Sequence, residues 1–90
     1  MKIDEDLEEK IVNCGVFGYS ASKMANILGF SESEIATEIA TSNSTFKKLL
    51  QKGIDLADYT IDLKLLELAQ VGDIKALEKL DSRKKTRDRL

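Results

Sequence analysis

Residues 20–41 read SASKMANILGFSESEIATEIAT. Two short helices fit this stretch, joined by a tight turn at Leu28-Gly29-Phe30. Ser20 can cap the first helix, with Met24, Ile27 and Leu28 turned inward. Gly29 can take the left-handed conformation that a sharp turn needs. Ser31 caps the second helix, and Glu34 three residues on completes a capping box. Ile35 and Ile39 are its buried positions. Ala25 lies four residues before Gly29 and is small where two helices must approach closely, and Phe30 can plug the space under the turn. This is the outline of a helix-turn-helix, a unit that usually places its second helix in the major groove of DNA. The same spacing also fits a plain three-helix cluster with no nucleic-acid role.

Outward from this stretch, the chain reads as helix throughout. A helix precedes it, from about Asp4 to Val16, with Asp4 as cap and Glu5, Asp6, Glu8 and Glu9 near the positive end of its dipole. Leu7, Ile11 and Cys14 form its apolar stripe, and Gly15 and Gly18 end it. After it, Asn43 or Ser44 starts a long helix reaching to about Val71. Its apolar set is Phe46, Leu49, Leu50, Leu56, Ala57, Ile61, Leu65 and Leu68, with Gly53 as a point of bending or breakage. Leu56, Leu63 and Leu66 extend the set beyond one narrow stripe. Either the neighbouring helices cover them or they belong to a subunit interface. Gly72-Asp73 is a stop-and-restart signal, Gly ending one helix and Asp capping the next. The last helix packs Ile74, Leu77 and Leu80. The fold expected is all-α: a helix-turn-helix-like core over residues 4–41, a long helix and short C-terminal helix forming a hairpin over 43–83, and a basic tail over 84–90. With 90 residues this makes a single domain at most.

Composition narrows the function classes. Apolar residues are 42% of the chain and charged residues 33%, too apolar for a disordered chain. No apolar run is long enough to span a membrane. The N-terminus, MKIDEDLEEK, is acidic where a signal peptide is basic and then apolar, so a cytoplasmic protein is expected. One cysteine excludes an internal disulfide and suits a reducing compartment. There is no His, which removes the commonest general base and metal ligand. Cys14 on the apolar stripe reads as a packed thiol. Asp55, Asp58 and Asp62 stand at helical spacings that suit a solvated face. Gly15-Val16-Phe17-Gly18 lacks the Gly-Lys-Ser/Thr ending of a phosphate loop. No enzyme, metal or cofactor is expected.

Charge is unevenly spread. Met1 to Phe46 carries 3 basic and 8 acidic side chains, whereas Lys47 to Leu90 carries 11 basic and 8 acidic. Such polarity suits an acidic partner at one end. The second helix of the motif carries Glu32, Glu34 and Glu38 and no cation. DNA affinity comes largely from Lys and Arg neutralising phosphates. A single copy is therefore expected to bind weakly, and useful affinity to require several copies presenting the site together. The candidate DNA contacts are Ser31, Ser33 and Thr37 at the groove, with Lys23, Lys47 and Lys48 on phosphates. Arg83, Lys84, Lys85, Arg87 and Arg89 form a second candidate. They are either a solvated helix end whose cations suit the dipole or a contact for phosphate or an acidic partner.

The order of these features resembles the small terminase subunits of tailed bacteriophages. The resembling parts are YSASKMANILGFSESEIATEI, NSTFKKLLQKGIDLADYTIDLKLLELA and VGDIKALEKLDSRKK, together spanning about Tyr19 to Lys85. In that family a helix-turn-helix precedes an aromatic residue at the start of a long helix, here Phe46. A Gly-Asp pair, here Gly72 and Asp73, leads to a final helix with Ala76, Leu77 and basic residues. The resemblance implies a non-enzymatic subunit that recognises double-stranded viral DNA for packaging, self-associates, and meets a large terminase subunit. Two other functions fit the residues: a helical protein–protein adaptor without DNA binding, and a small transcription regulator.

Overall fold

The computed structural model describes residues 1–87, all of whose regular structure is helical. The five helices are α1 (Glu5–Phe17), α2 (Ala21–Leu28), α3 (Glu32–Ala40), α4 (Thr45–Gln70) and α5 (Ile74–Arg87). The all-α class is as expected. Arg89, the last member of the basic tail, lies outside the described residues.

Local chemistry sets the helix ends. Asp4 Oδ1 accepts the Leu7 amide at 2.8 Å, Ser20 Oγ the Lys23 amide at 3.2 Å, and Ser44 Oγ the Lys47 amide at 3.1 Å. At Ser31 the capping box is complete: the hydroxyl accepts from the Glu34 amide at 3.1 Å, and Glu34 accepts from the Ser31 amide at 3.2 Å. Each of these oxygens satisfies a first-turn amide that has no partner within its helix. Gly18 and Gly29 close α1 and α2 in the left-handed region, at φ 70° and 79°. After α4, Gly72 is left-handed, and Asp73 Oδ1 accepts the Ala76 amide at 3.0 Å.

The chain divides into two compact units, Met1–Ala57 and Asp58–Leu90, so the division falls within α4. The first unit holds α1 to α3 and the first part of α4. Its core is Ile11, Cys14, Met24, Ala25, Ile35 and Phe46. Phe46, Ile11, Met24 and Ile35 are fully buried, each contributing about 1.5–3 kcal/mol of apolar transfer. Leu7, Leu28, Phe30, Ile39, Leu49 and Leu50 pack around them.

Two glycines have a role that sequence reading missed. Gly15 does not end α1, and Gly53 does not break α4: each is buried inside a continuous helix. They mark a place where the two backbones touch. A Cβ added at Gly15 would lie 2.2 Å from the Leu50 carbonyl oxygen, and one at Gly53 would lie 2.0 Å from the Val12 carbonyl oxygen. Only hydrogen fits at both positions, so α1 and α4 cross in backbone contact there.

The second unit is an α4–α5 hairpin with a thin core. Among the described residues its one buried apolar side chain is Ala76, with Leu65, Leu68, Ala69 and Leu80 half-buried. Ile74 and Leu77, expected inside, are 68% and 55% exposed. The face of α5 turned inward is instead Ala76, Leu80 and Arg83, spaced by four and three. Ile61 of the expected apolar set is exposed, as are Tyr59, Leu63 and Leu66; in the first unit, Ile27 and Leu56 are exposed too. Two helices present only one mutual face, so stripes wider than that face stay in solvent.

Candidate nucleic-acid interface

The helix-turn-helix outline is realised as α2, the Gly29 turn and α3. Ser31, Ser33, Ala36, Thr37 and Ala40 are all exposed on α3. Ser33, Ala36, Thr37 and Ala40 lie on the side away from Ile35 and Ile39, so the outward face carries only short side chains. Two of the candidate groove hydroxyls already have internal partners. Ser31 Oγ caps the helix, and the Thr37 hydroxyl donates to the Ser33 carbonyl at 2.9 Å.

The acidic residues of α3 are not equivalent. Glu34 is folded back into the capping box. Glu38 lies 3.6 Å from the Met1 ammonium, with 22% of its side chain exposed. Glu32 makes no ion pair among the described residues and sits in the first turn, where the helix dipole favours a carboxylate. The carboxylates thus stabilise the start and flank of α3, and Glu34 and Glu38 border the short side chains of its outward face.

The candidate cations fall into three settings. Lys23 Nζ stands 4.1 Å above the centre of the Tyr19 ring, which in turn meets Phe17 at 5.3 Å. That contact draws the ammonium onto an aromatic face. Lys47 and Lys48 are exposed in the first turn of α4 and make no ion pair among the described residues. With Ser42, Asn43 and Gln51 they line a concavity of about 330 Å³. No acidic residue occupies that first turn, so two lysines and the positive end of a helix dipole add together. Asn43 shapes the approach by taking the left-handed conformation at φ 61°. Ser33 and Thr37 line a different concavity, with Phe30, Glu34 and Glu38. The structure therefore brings Lys47 and Lys48 together in one concavity and Ser33 and Thr37 together in another.

The basic C-terminal residues end a helix: residues 84–87 are the last turn of α5. Arg83 Nε donates to Asp62 Oδ1 at 2.7 Å, and its Nη2 reaches Asp58 Oδ1 at 3.4 Å. Arg87 Nη1 donates to Asp62 Oδ2 at 2.5 Å. Asp58 and Asp62 are therefore not a plain solvated ladder. Hydrogen bonds from Arg87 and then Arg83 hold the Asp62 carboxyl below the usual carboxylate range. Lys85 pairs with Asp81 at 3.0 Å, and Lys84 has no ion-pair partner among the described residues. An Asp and an Arg 21 or 25 residues apart carry no sequence signal for pairing until the hairpin register is known.

No group of three His, Cys, Asp or Glu side chains among the described residues is placed to hold a metal ion. Cys14 is 3% exposed, and burial raises its thiol above the ordinary value, which keeps it protonated. No described helix is long and apolar enough to cross a membrane. In comparisons with known proteins, the chain matches no family model, no curated protein and no solved structure.

Proposed function

We propose that this chain is a non-enzymatic DNA-binding subunit that works as an assembly, in the manner of the phage small terminase subunits its sequence resembles. The observation that carries this reading is the first turn of α4. Lys47 and Lys48 stand there exposed and unpaired among the described residues, directly after the helix-turn-helix and at a helix N-terminus. This is phosphate-binding chemistry. Ser33 and Thr37 on the outward face of α3 then meet the groove. Lys23 and Ser31 serve at the edges, Lys23 after leaving the Tyr19 ring. With so few cations, one copy holds DNA weakly, and several copies on one duplex supply the affinity. The exposed Tyr59, Leu63 and Leu66 on α4 support self-association, since stripes of this kind are covered by a partner helix in assemblies. A large terminase subunit is the further partner this role implies. The buried cysteine suits a reducing compartment, here the cytoplasm of the host cell.

Titration of duplex DNA tests the reading. Binding is expected at about 50 mM salt, to weaken steeply towards 200 mM, and to be lost in Lys47→Glu plus Lys48→Glu. Absence of binding at the lower salt and high protein concentration would sink it. Light scattering tests assembly, and a monomer at all concentrations removes the multivalent mechanism.

A second reading is favoured by a separate observation. Val71, Ile74 and Leu77 at the hairpin end are 81%, 68% and 55% exposed. An apolar surface of this kind fits a helical adaptor for another protein, with the helix-turn-helix serving as scaffold. Absence of DNA binding at about 50 mM salt favours the adaptor.

A further inference from the structure

The C-terminal arginines look at first like spare cations for DNA. In the hairpin they are occupied. The two oxygens of Asp62 are shared out, one to Arg83 Nε and the other to Arg87 Nη1. Asp58 takes a second nitrogen of Arg83. A carboxylate between two guanidiniums stands in for the phosphate oxygens that such a pair otherwise binds.

Three features make this occupancy reversible. Arg83 and Arg87 are 27% and 44% exposed, so solvent and solutes reach them. Exposed ion pairs contribute little each and are screened by salt. Finally, beyond Leu80 the inward face of α5 carries no apolar residue: its next positions are Arg83 and Arg87 themselves. The last turn is fastened to α4 by the Arg83 and Arg87 ion pairs.

We propose that Asp58 and Asp62 gate a phosphate-binding site made by Arg83 and Arg87, which duplex DNA opens by displacing the carboxylates. The inference rests on the reading that this chain binds duplex DNA, and it adds a regulation to that reading. In the free protein the arginines are neutralised, which suppresses binding by isolated copies. On DNA already held through Lys47 and Lys48 of neighbouring copies, phosphate is locally concentrated and takes the guanidiniums over. The cations then count only within an assembly on its substrate.

The test compares duplex DNA affinity at about 50 mM salt for four proteins by fluorescence anisotropy, with the slope of log affinity against log salt for each. They are the wild type, Asp58→Asn with Asp62→Asn, a charge-matched control of Glu67→Gln with Glu78→Gln, and the Asn pair combined with Arg83→Gln and Arg87→Gln. The Asn pair is expected to bind roughly tenfold more tightly, with a slope steeper by about two phosphate contacts. The control is expected to gain less than about threefold, and the fourth protein to lose the gain. A gain no larger than the control's, or one that survives loss of both arginines, overturns the gate. Because the Asn pair also loosens α5, the wild type gives an independent reading. The Arg83 Nε–H resonance is expected to shift on DNA saturation as Asp62 is replaced, and an unmoved resonance overturns the gate. The two readings fail separately. Wild-type binding that needs Lys47 and Lys48, with no gain from the Asn pair, leaves the α4 site standing and removes the gate. Binding by the Asn pair alone, dependent on Arg83 and Arg87, does the reverse. No binding by either removes both.

Discussion

The two units of this chain are built on different principles. Met1–Ala57 buries six apolar side chains in one cluster and brings α1 and α4 into backbone contact at Gly15 and Gly53. Asp58–Leu90 buries Ala76 and fastens the end of α5 with Arg83, Arg87, Asp58 and Asp62. The first is a shape-matched core, intolerant of added volume. The second is an ionic clasp with apolar stripes left outside, sensitive to solution conditions and open to partners.

The contrast is broken most severely at Phe46. Phe46→Ala opens a cavity in the core of the first unit and is expected to cost about 3–5 kcal/mol, read as a lower midpoint in denaturant unfolding. Gly53→Ala follows at about 3 kcal/mol, because the new methyl meets the Val12 carbonyl and backbone cannot move aside cheaply. The usual helix-propensity gain of Ala over Gly, about 1 kcal/mol, does not offset that clash. A stabilised Gly53→Ala protein would refute the close crossing. Ser31→Ala removes half of the capping box and is expected to cost about 1 kcal/mol, again within the first unit.

The second unit responds to pH instead. The lowered pKa of Asp62 means that its contribution is complete above the ordinary aspartate range and is lost as pH falls through the lowered value. Acidification is therefore expected to release the last turn of α5 in Asp62-containing protein, with less effect after Asp62→Asn. Backbone amide exchange over residues 83–87 reads this directly. The smallest stability effect belongs to Tyr59→Ser, Leu63→Ser and Leu66→Ser together. These side chains are 63%, 40% and 42% exposed, so each change stays within about 0.5 kcal/mol in the monomer. Light scattering is expected to show reduced self-association, which separates a partner surface from a core.

Helix ends were legible in the sequence because they are set within four residues: Asp4, Ser20 and Ser31 at starts, Gly18, Gly29 and Gly72 at stops. The members of the first core were legible too, since Ile11, Met24, Ile35 and Phe46 stand on clear stripes. Tertiary choices were not. Gly15 and Gly53 look like breakers until two distant helices are seen to cross at them. Ile74 and Leu77 look like core until the hairpin turns Ala76 and Arg83 inward instead. At the candidate site, the exposure of Lys47 and Lys48 follows from their place off the Phe46, Leu49 and Leu50 stripe. The capture of Arg83 and Arg87 depends on hairpin register, which spacing along one helix does not encode.

The outward face of α3 has one more consequence. Ser33, Ala36, Thr37 and Ala40 have few rotatable bonds, and the Thr37 hydroxyl is already committed to the Ser33 carbonyl. A partner that covers this face freezes almost no side-chain motion, so little conformational entropy is lost there. Long Lys or Arg side chains in the same places lose far more on docking. Contact at α3 is thus governed by fit between two nearly rigid surfaces, and a modest number of contacts there can still favour one orientation over another.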